Sequence, residues 1–313
     1  MSKPMRIAIV GLGKAANDQH LPSVTASDEF ELAATVSHRG ECLNGLPHFP
    51  DIESLAASNV ELDAVTICTP PQERHHVAQT AIASGWHVLL EKPPAATLAE
   101  LRALCDAADN AEVSLFASWH AQYGDGVEPA RQWLARHEIR GARVDWREDA
   151  RVWHPGQEWL WRPGGFGVFD PGINALSIVT RILPRPISVD QAELFVPQNC
   201  ATPIAAVVSC VSEDGFPVDM DMDLREEGPP SWDISVDTDE GELYLSEEGS
   251  RLSIAGADQL PERTDQHKEY VALYRRFADI IHAGVSDVDF SPLSLVEDIF
   301  QKARTAMVDP YIE

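Results

Sequence analysis

The apolar run at 5–11, MRIAIVG, passes directly into Gly11-Leu12-Gly13-Lys14-Ala15-Ala16 and then into a helical pattern. Short, rich in β-branched residues and closed by glycine, the run reads as a buried strand. The GxGxxA arrangement of Gly11, Gly13 and Ala16 behind it has a mechanical use. Its glycines permit a tight turn and a close backbone approach, and the helix that follows points its N-terminal amides at a pyrophosphate. At the first strand of the chain, this turn commits the N-terminal part to a dinucleotide-binding fold. Gly11, Gly13, Lys14 and Ala15 become candidate cofactor-binding residues.

The rhythm continues. Strand patterns at 31–36, 62–68, 86–90 and 113–118 alternate with helical ones, which implies a parallel, doubly wound sheet. Ligands of such sheets sit outside the carboxyl ends of the strands. Gly11, Ser37, Thr69 and Lys92 all fall at such ends, so a shared cleft is expected. The second strand runs into Ser37-His38-Arg39, where an NAD-reading fold carries an acid for the ribose 2′-hydroxyl. An arginine fork suits a 2′-phosphate instead. The expected cofactor is NADP, with NAD as the alternative; the bland reading of Arg39 is an exposed surface arginine. Thr69-Pro70 and Glu91-Lys92 follow two further strands and join the cofactor candidates. His75 is placed with them, although a helix-surface role for His75 and His76 is an equal alternative.

Past Trp119 the pattern changes. A helix near 128–135 and a long alternating strand over 141–152 precede a glycine-rich stretch. Runs at 187–196, 204–212, 217–225, 232–238, 242–246 and 251–255 then read as an open, mostly antiparallel sheet. The expected fold is an α/β Rossmann domain over 1–120, followed by an α+β substrate and oligomerisation domain over 121–290. A C-terminal helix in 291–313 is expected to pack back on the first domain, as is a helix near 268–283. An open sheet with one exposed face invites a homodimer.

Composition excludes several classes. A net charge of −26 repels nucleic acid and anionic membranes. Its ordinary meaning is a solvated surface, its sharper one adaptation to high salt. No apolar run approaches a bilayer-spanning length, and the N-terminus lacks the features of a signal peptide. Cys42, Cys68, Cys105, Cys200 and Cys210 are odd in number and never form CxxC, which fits a reducing cytoplasm and argues against a cysteine-based metal site.

The stretch 163–174, PGGFGVFDPGIN, gathers chemistry-bearing residues. Asp170 and Asn174 are four apart at the start of an apolar helical run, so a carboxylate and an amide share one helix face. Asp170 before Pro171 also reads as a plain N-cap ahead of a favoured first residue. Both readings stand on sequence. Lys92 has the same ambiguity between a strand-end surface lysine and a functional cation, in a chain with only five lysines.

The turn GLGKAA, the motif EKPP after a later strand and the segment GGFGVFDPGIN together resemble the glucose–fructose oxidoreductase/inositol dehydrogenase family over nearly the whole chain. More narrowly, EKPPAATLAEL, FASWHAQY, VDWREDARVWHPGQEWLW and GVFDPGINALSIVTRILP resemble the bacterial L-arabinose/D-galactose 1-dehydrogenases of that family. The resemblance implies oxidation of the anomeric carbon of a cyclic aldose to a lactone, with hydride passed to NAD(P). It implies Lys92, Asp170 and Asn174 as catalytic residues, and His120, Glu148, Trp153 and His154 as further sugar-binding residues beside them. Trp153 as core, His120 as a satisfied strand-end residue and Glu148 as an exposed acid are the bland alternatives. Where the wider family has a histidine as acid/base, this chain has Asn174, which cannot take a proton near neutral pH. The proton then goes to Asp170 or through a relay involving Lys92. Another sugar or cyclitol dehydrogenase is the alternative enzyme, and a non-catalytic NAD(P)- or sugar-sensing protein the alternative class. A sensor needs neither Lys92 nor Asp170.

Overall fold

The computed structural model describes residues 3–38, 43, 45–260 and 268–312. The chain divides into two compact units, Met1–His120 with Asp265–Asp289, and Ala121–Thr264 with Phe290–Glu313.

In the first unit β1 (Met5–Val10), β2 (Phe30–Val36), β3 (His48–Phe49), β4 (Ala64–Ile67), β5 (His87–Leu90) and β6 (Leu115–Ala117) form one sheet. Its order is β3-β2-β1-β4-β5-β6 and every pair is parallel. This is a doubly wound Rossmann sheet, whose order reverses direction between β1 and β4. The near-continuous burial of β1, β2, β4 and β5 is what a sheet covered on both faces requires. The two-residue β3 is too short to be seen as a periodic run in the sequence.

Helices Pro71–Ala83 and Leu98–Asn110 cover this sheet. Thr97 caps the second by accepting from the Glu100 amide at 3.2 Å. Helix Lys268–Ala283 returns to the same unit and buries Tyr270, Leu273, Tyr274 and Phe277, an i, i+3, i+4, i+7 stripe. Phe277 stacks on Phe30 and Phe116, with ring centroids 5.5 and 6.1 Å apart.

The second unit carries β7 (Ile139–Arg147), β8 (Ile187–Pro197), β9 (Ala205–Ser212), β10 (Pro217–Asp223), β11 (Ser231–Thr238), β12 (Gly241–Ser246), β13 (Arg251–Ile254), β14 (Ala257–Asp258) and β15 (Arg304–Val308). The order is β14-β13-β12-β11-β7-β10-β9-β8-β15, antiparallel except for the β7–β10 and β8–β15 pairs. One face is buried under helices Val127–Leu134, Phe169–Ile182 and Ser291–Lys302. The other carries the half-exposed Val207, Val211 and Tyr244 with ion pairs such as Arg143–Asp145 and Arg147–Asp221.

Three sequence expectations change. The C-terminal helix in 291–313 was expected against the first domain. It ends at Lys302, Ala303 turns extended, and the chain continues as β15 beside β8. Its buried Leu293, Leu295, Val296 and Ile299 face the second unit, and Lys302 donates to the Val189 carbonyl at 2.6 Å. The long strand over 141–152 stops at Arg147, because Asp149 accepts from the Arg151 amide at 2.9 Å and starts a helical turn, Ala150–Trp153. Finally, the helix holding Asp170 begins two residues early, at Phe169 instead of Pro171, with Val168 in the cap position and no side-chain cap bond. Gly167, left-handed at φ 54, and the Val168 amide on the Pro203 carbonyl at 2.7 Å fix that start. Asp170 is therefore not an N-cap; it lies inside the first turn. Among the described residues, no helix is long and apolar enough to cross a membrane.

Candidate active site

In the first unit the candidate residues gather at the strand ends. Gly11 is left-handed at φ 93, and a Cβ there would lie 2.8 Å from the Thr69 amide nitrogen. A Cβ on Gly13 would meet nothing within 4 Å. The turn is closed toward β4 and open on its other side, a cradle that fits a pyrophosphate. The helix it opens begins with a wide π-helical turn, Ala16–His20, a form that recurs at functional sites. Gly13, Lys14 and Ala15 are exposed, and Lys14 pairs with Asp18. Ser37 is buried after β2, with its amide on the Phe49 carbonyl at 3.0 Å; His38 is exposed. Arg39 lies outside the described residues.

Thr69 and Pro70 follow β4 half-buried, and Glu91-Lys92 follow β5. Buried Arg74 straps the two turns together by donating to the carbonyls of Thr69, Glu91 and Pro93. His75, half-buried, lies one residue on, whereas exposed His76 pairs with Glu53 on the surface at 2.8 Å.

Glu91, 3% exposed, is the hub of a buried network. One carboxylate oxygen accepts from Tyr270 at 2.7 Å and lies 3.3 Å from His20 Nε2. His20 Nδ1 is 2.9 Å from the Tyr274 hydroxyl, which also meets Thr66 Oγ1 at 3.0 Å. Tyr270 reaches His120 Nδ1 at 3.3 Å, with the two rings stacked. Burial by itself would lower the His20 imidazole, but Cys68, Tyr274 and Glu91 raise it well above its ordinary 6.5. Burial likewise works against the Glu91 carboxylate, yet the His20 contact and the charges of His20, His120 and Lys92 hold it well below its ordinary 4.5. The two shifts agree on one state, a buried imidazolium–carboxylate pair directly before Lys92. Sequence reasoning missed His20, Arg74, Tyr270 and Tyr274. Tyr270 and Tyr274 at i, i+4 on an amphipathic helix were visible as core candidates, without their partner.

In the second unit helix Phe169–Ile182 presents Asp170, 5% exposed, and Asn174, 7% exposed, one turn apart. Asn174 Nδ2 donates to Glu248 Oε1 at 2.6 Å. After β7, Glu148 is 3% exposed and accepts from Trp232 Nε1 at 2.7 Å and from His154 Nε2 at 2.6 Å. A carboxylate can only accept, so His154 carries its proton on Nε2. Trp153, 38% exposed, sets its ring edge-on to Trp232 at 4.8 Å. It is therefore not core, and Glu148 is not one of the exposed acids. Trp232 and Glu248 were not recognised in the sequence. The Rossmann turn and the strand-end lysine of the first unit are the frame of a nicotinamide-dependent oxidoreductase; the second unit, by itself, carries buried polar side chains on one helix face.

Comparisons with known proteins agree. Residues 5–118 match the GFO_IDH_MocA family, an oxidoreductase family with an NAD-binding Rossmann fold. Over 311 residues the chain is 40% identical to a galactose 1-dehydrogenase of Pseudomonas fluorescens, covering 99% of this chain and 100% of that protein. The crystal structure of a D-galactose-1-dehydrogenase from Rhizobium etli is similar with a TM-score of 0.93 and 46% identity, covering 100% of this chain and 99% of that one. A 3-ketoreductase from Actinomadura kijaniata in complex with NADP shares the fold at a TM-score of 0.84 and 17% identity, over 97% of this chain and 99% of its own. The chain belongs to the glucose–fructose oxidoreductase/inositol dehydrogenase family of oxidoreductases.

The His20–Glu91 pair gives stability a defined pH course. A raised histidine contributes fully below its unfolded value of 6.5 and loses that contribution as pH rises through the folded value. A depressed glutamate contributes above 4.5 and loses it as pH falls through the folded value. The pair therefore contributes most between those unfolded values. Urea midpoints measured against pH are expected to fall on the alkaline side in the wild type. His20→Gln should lose that component of the slope, and an unchanged slope would rule out a charged His20.

Proposed function

We propose that this protein oxidises C1 of a cyclic aldose of the D-galactose or L-arabinose type to the lactone, with NADP preferred over NAD. What carries the reading is full-length similarity to a galactose 1-dehydrogenase, supported by Lys92 at a strand end, buried Asp170 and the Asn174–Glu248 and His154–Glu148 contacts. The two sugars share ring stereochemistry from C1 to C4, so residues that read those hydroxyls accept both.

The reaction removes a hydride from C1 and a proton from O1, leaving a C1=O bond. A bound nicotinamide supplies the hydride acceptor. Gly11, Gly13, Lys14 and Ala15 would hold its pyrophosphate, with Ser37, His38 and Arg39 at the ribose and Thr69, Pro70, His75 and Glu91 along the strand ends. Lys92 donates to O1 and stabilises the developing oxyanion. Asp170 receives the O1 proton, directly or through Lys92. Asn174 orients a hydroxyl, since its amide has a donor and an acceptor but no titrating proton. Glu148, held by the Trp232 indole and the His154 Nε2–H, accepts from a ring hydroxyl, and His154 Nδ1 is a second acceptor. The exposed Trp153 face suits the apolar side of the sugar ring, and His120 completes the set. Lys92 and Asp170 together favour turnover over sensing.

Three variants test the assignments in steady-state kinetics on D-galactose. Asp170→Asn keeps shape and removes the ionisable group, so turnover should fall by about 10²–10⁴ with little change in melting temperature. Normal turnover would leave Asp170 a structural residue. Lys92→Met should lower turnover by orders of magnitude with cofactor affinity nearly intact. Arg39→Ala should weaken NADP selectively, by roughly 1.5–3 kcal/mol for one charge-assisted contact. Equal losses for NAD and NADP, or a wild-type preference for NAD, would contradict the 2′-phosphate assignment.

A further inference from the structure

The turn joining β12 to β13 is built against backbone preference. Glu247 at φ 51 and Glu248 at φ 58 are both left-handed, and Gly249 follows at φ 82. Left-handed conformation comes readily to glycine and costs other residues, so two successive glutamates there mark a turn held by its surroundings. The Glu248 amide donates to the Trp232 carbonyl at 3.3 Å, and the Gly249 carbonyl accepts from the Gly126 amide at 2.9 Å. The result is to aim the Glu248 carboxylate at the Asn174 side chain, 2.6 Å from Nδ2.

That contact decides which end of the amide does what. A carboxylate only accepts, so the Asn174 nitrogen must face it, and the carbonyl Oδ1 is left as the amide's acceptor. Asp170, one turn earlier on the same helix, is also an acceptor. We propose that Glu248 is a positioning residue for substrate recognition: it fixes the Asn174 amide so that Oδ1 accepts from a hydroxyl of the substrate. The inference rests on the aldose reading above and gives Asn174 its orientation. Trp232 belongs to the same arrangement, since its carbonyl anchors the turn while its indole donates to Glu148. Asn174, Glu248, Trp232, Glu148 and His154 thus form one connected set within the second unit.

The test separates positioning from stability by using a substitution that should help the fold and harm recognition. Glu248→Gly relieves a left-handed residue while removing the carboxylate. Its melting temperature should equal or exceed that of the wild type, while KM for D-galactose rises about fivefold to tenfold, the worth of one misplaced hydrogen bond, and kcat stays within about twofold. Glu248→Gln keeps a side-chain carbonyl that can accept from Asn174 and should restore KM to within about threefold. A Glu248→Gly protein with lower melting temperature and unchanged KM would overturn the proposal. Nitrogen-15 NMR of the Asn174 side chain gives a second readout without turnover. Its NH2 should be downfield-shifted and slow to exchange in the wild type and in Glu248→Gln, and ordinary in Glu248→Gly. An ordinary wild-type resonance would overturn the positioning contact whatever the kinetics show. The expected resonance in a protein that turns over no aldose would instead overturn the aldose reading, and the substrate role with it.

Discussion

One buried carboxylate holds the strand end that carries Lys92. Glu91 directly follows β5, its amide still donating to the Ile67 carbonyl at 3.0 Å. Its side chain is met by His20 from the helix behind the glycine turn and by Tyr270 from the returning helix. An unpaired carboxylate at that depth would be prohibitively costly; with an imidazolium and a hydroxyl around it, the cost becomes a tie. The segment that forms the phosphate cradle and the segment that bears the lysine are thereby fastened to each other inside one unit. Arg74 adds a second fastening from below, through backbone carbonyls alone. On the proposed function, a displaced Lys92 would change rates steeply, because reacting groups tolerate little misplacement.

The second unit applies the same principle with different parts. Glu148 and Glu248 are both acids that take a donor from a neighbouring side chain, Trp232 and His154 for the first and Asn174 for the second. Each bond fixes a proton: Nε2–H on His154, and the amide nitrogen of Asn174 turned inward. What such residues offer a ligand is therefore settled by their partners before any ligand arrives, which is preorganisation, and on the proposed function the ligand groups are sugar hydroxyls.

Much of this was legible in the sequence, for reasons that differ by residue. The strands of the first sheet and their carboxyl ends are written in local apolar periodicity, which placed Gly11, Ser37, Thr69 and Lys92 correctly at strand ends. The mostly antiparallel second sheet was equally visible as alternating runs. The buried network was not, because Glu91 is separated from His20 by 71 residues and from Tyr270 by 179, and no periodicity encodes such pairs. Glu248 stood in a sequence crowded with acids, and Glu-Glu gives no sign of a left-handed turn. The N-cap alternative for Asp170 stood open because Asp-Pro is a helix-start signal anywhere. Here Gly167 and the Pro203 carbonyl had already started the helix.

The account stands or falls on C1 of the sugar as the hydride source. D-galactose carrying deuterium at C1 can be incubated with the protein and NADP, and the reduced nicotinamide and the sugar product examined by mass spectrometry. The account expects one deuterium in the reduced cofactor and an unlabelled lactone. Deuterium retained at C1 while the cofactor is reduced would place the oxidation at another carbon and contradict it.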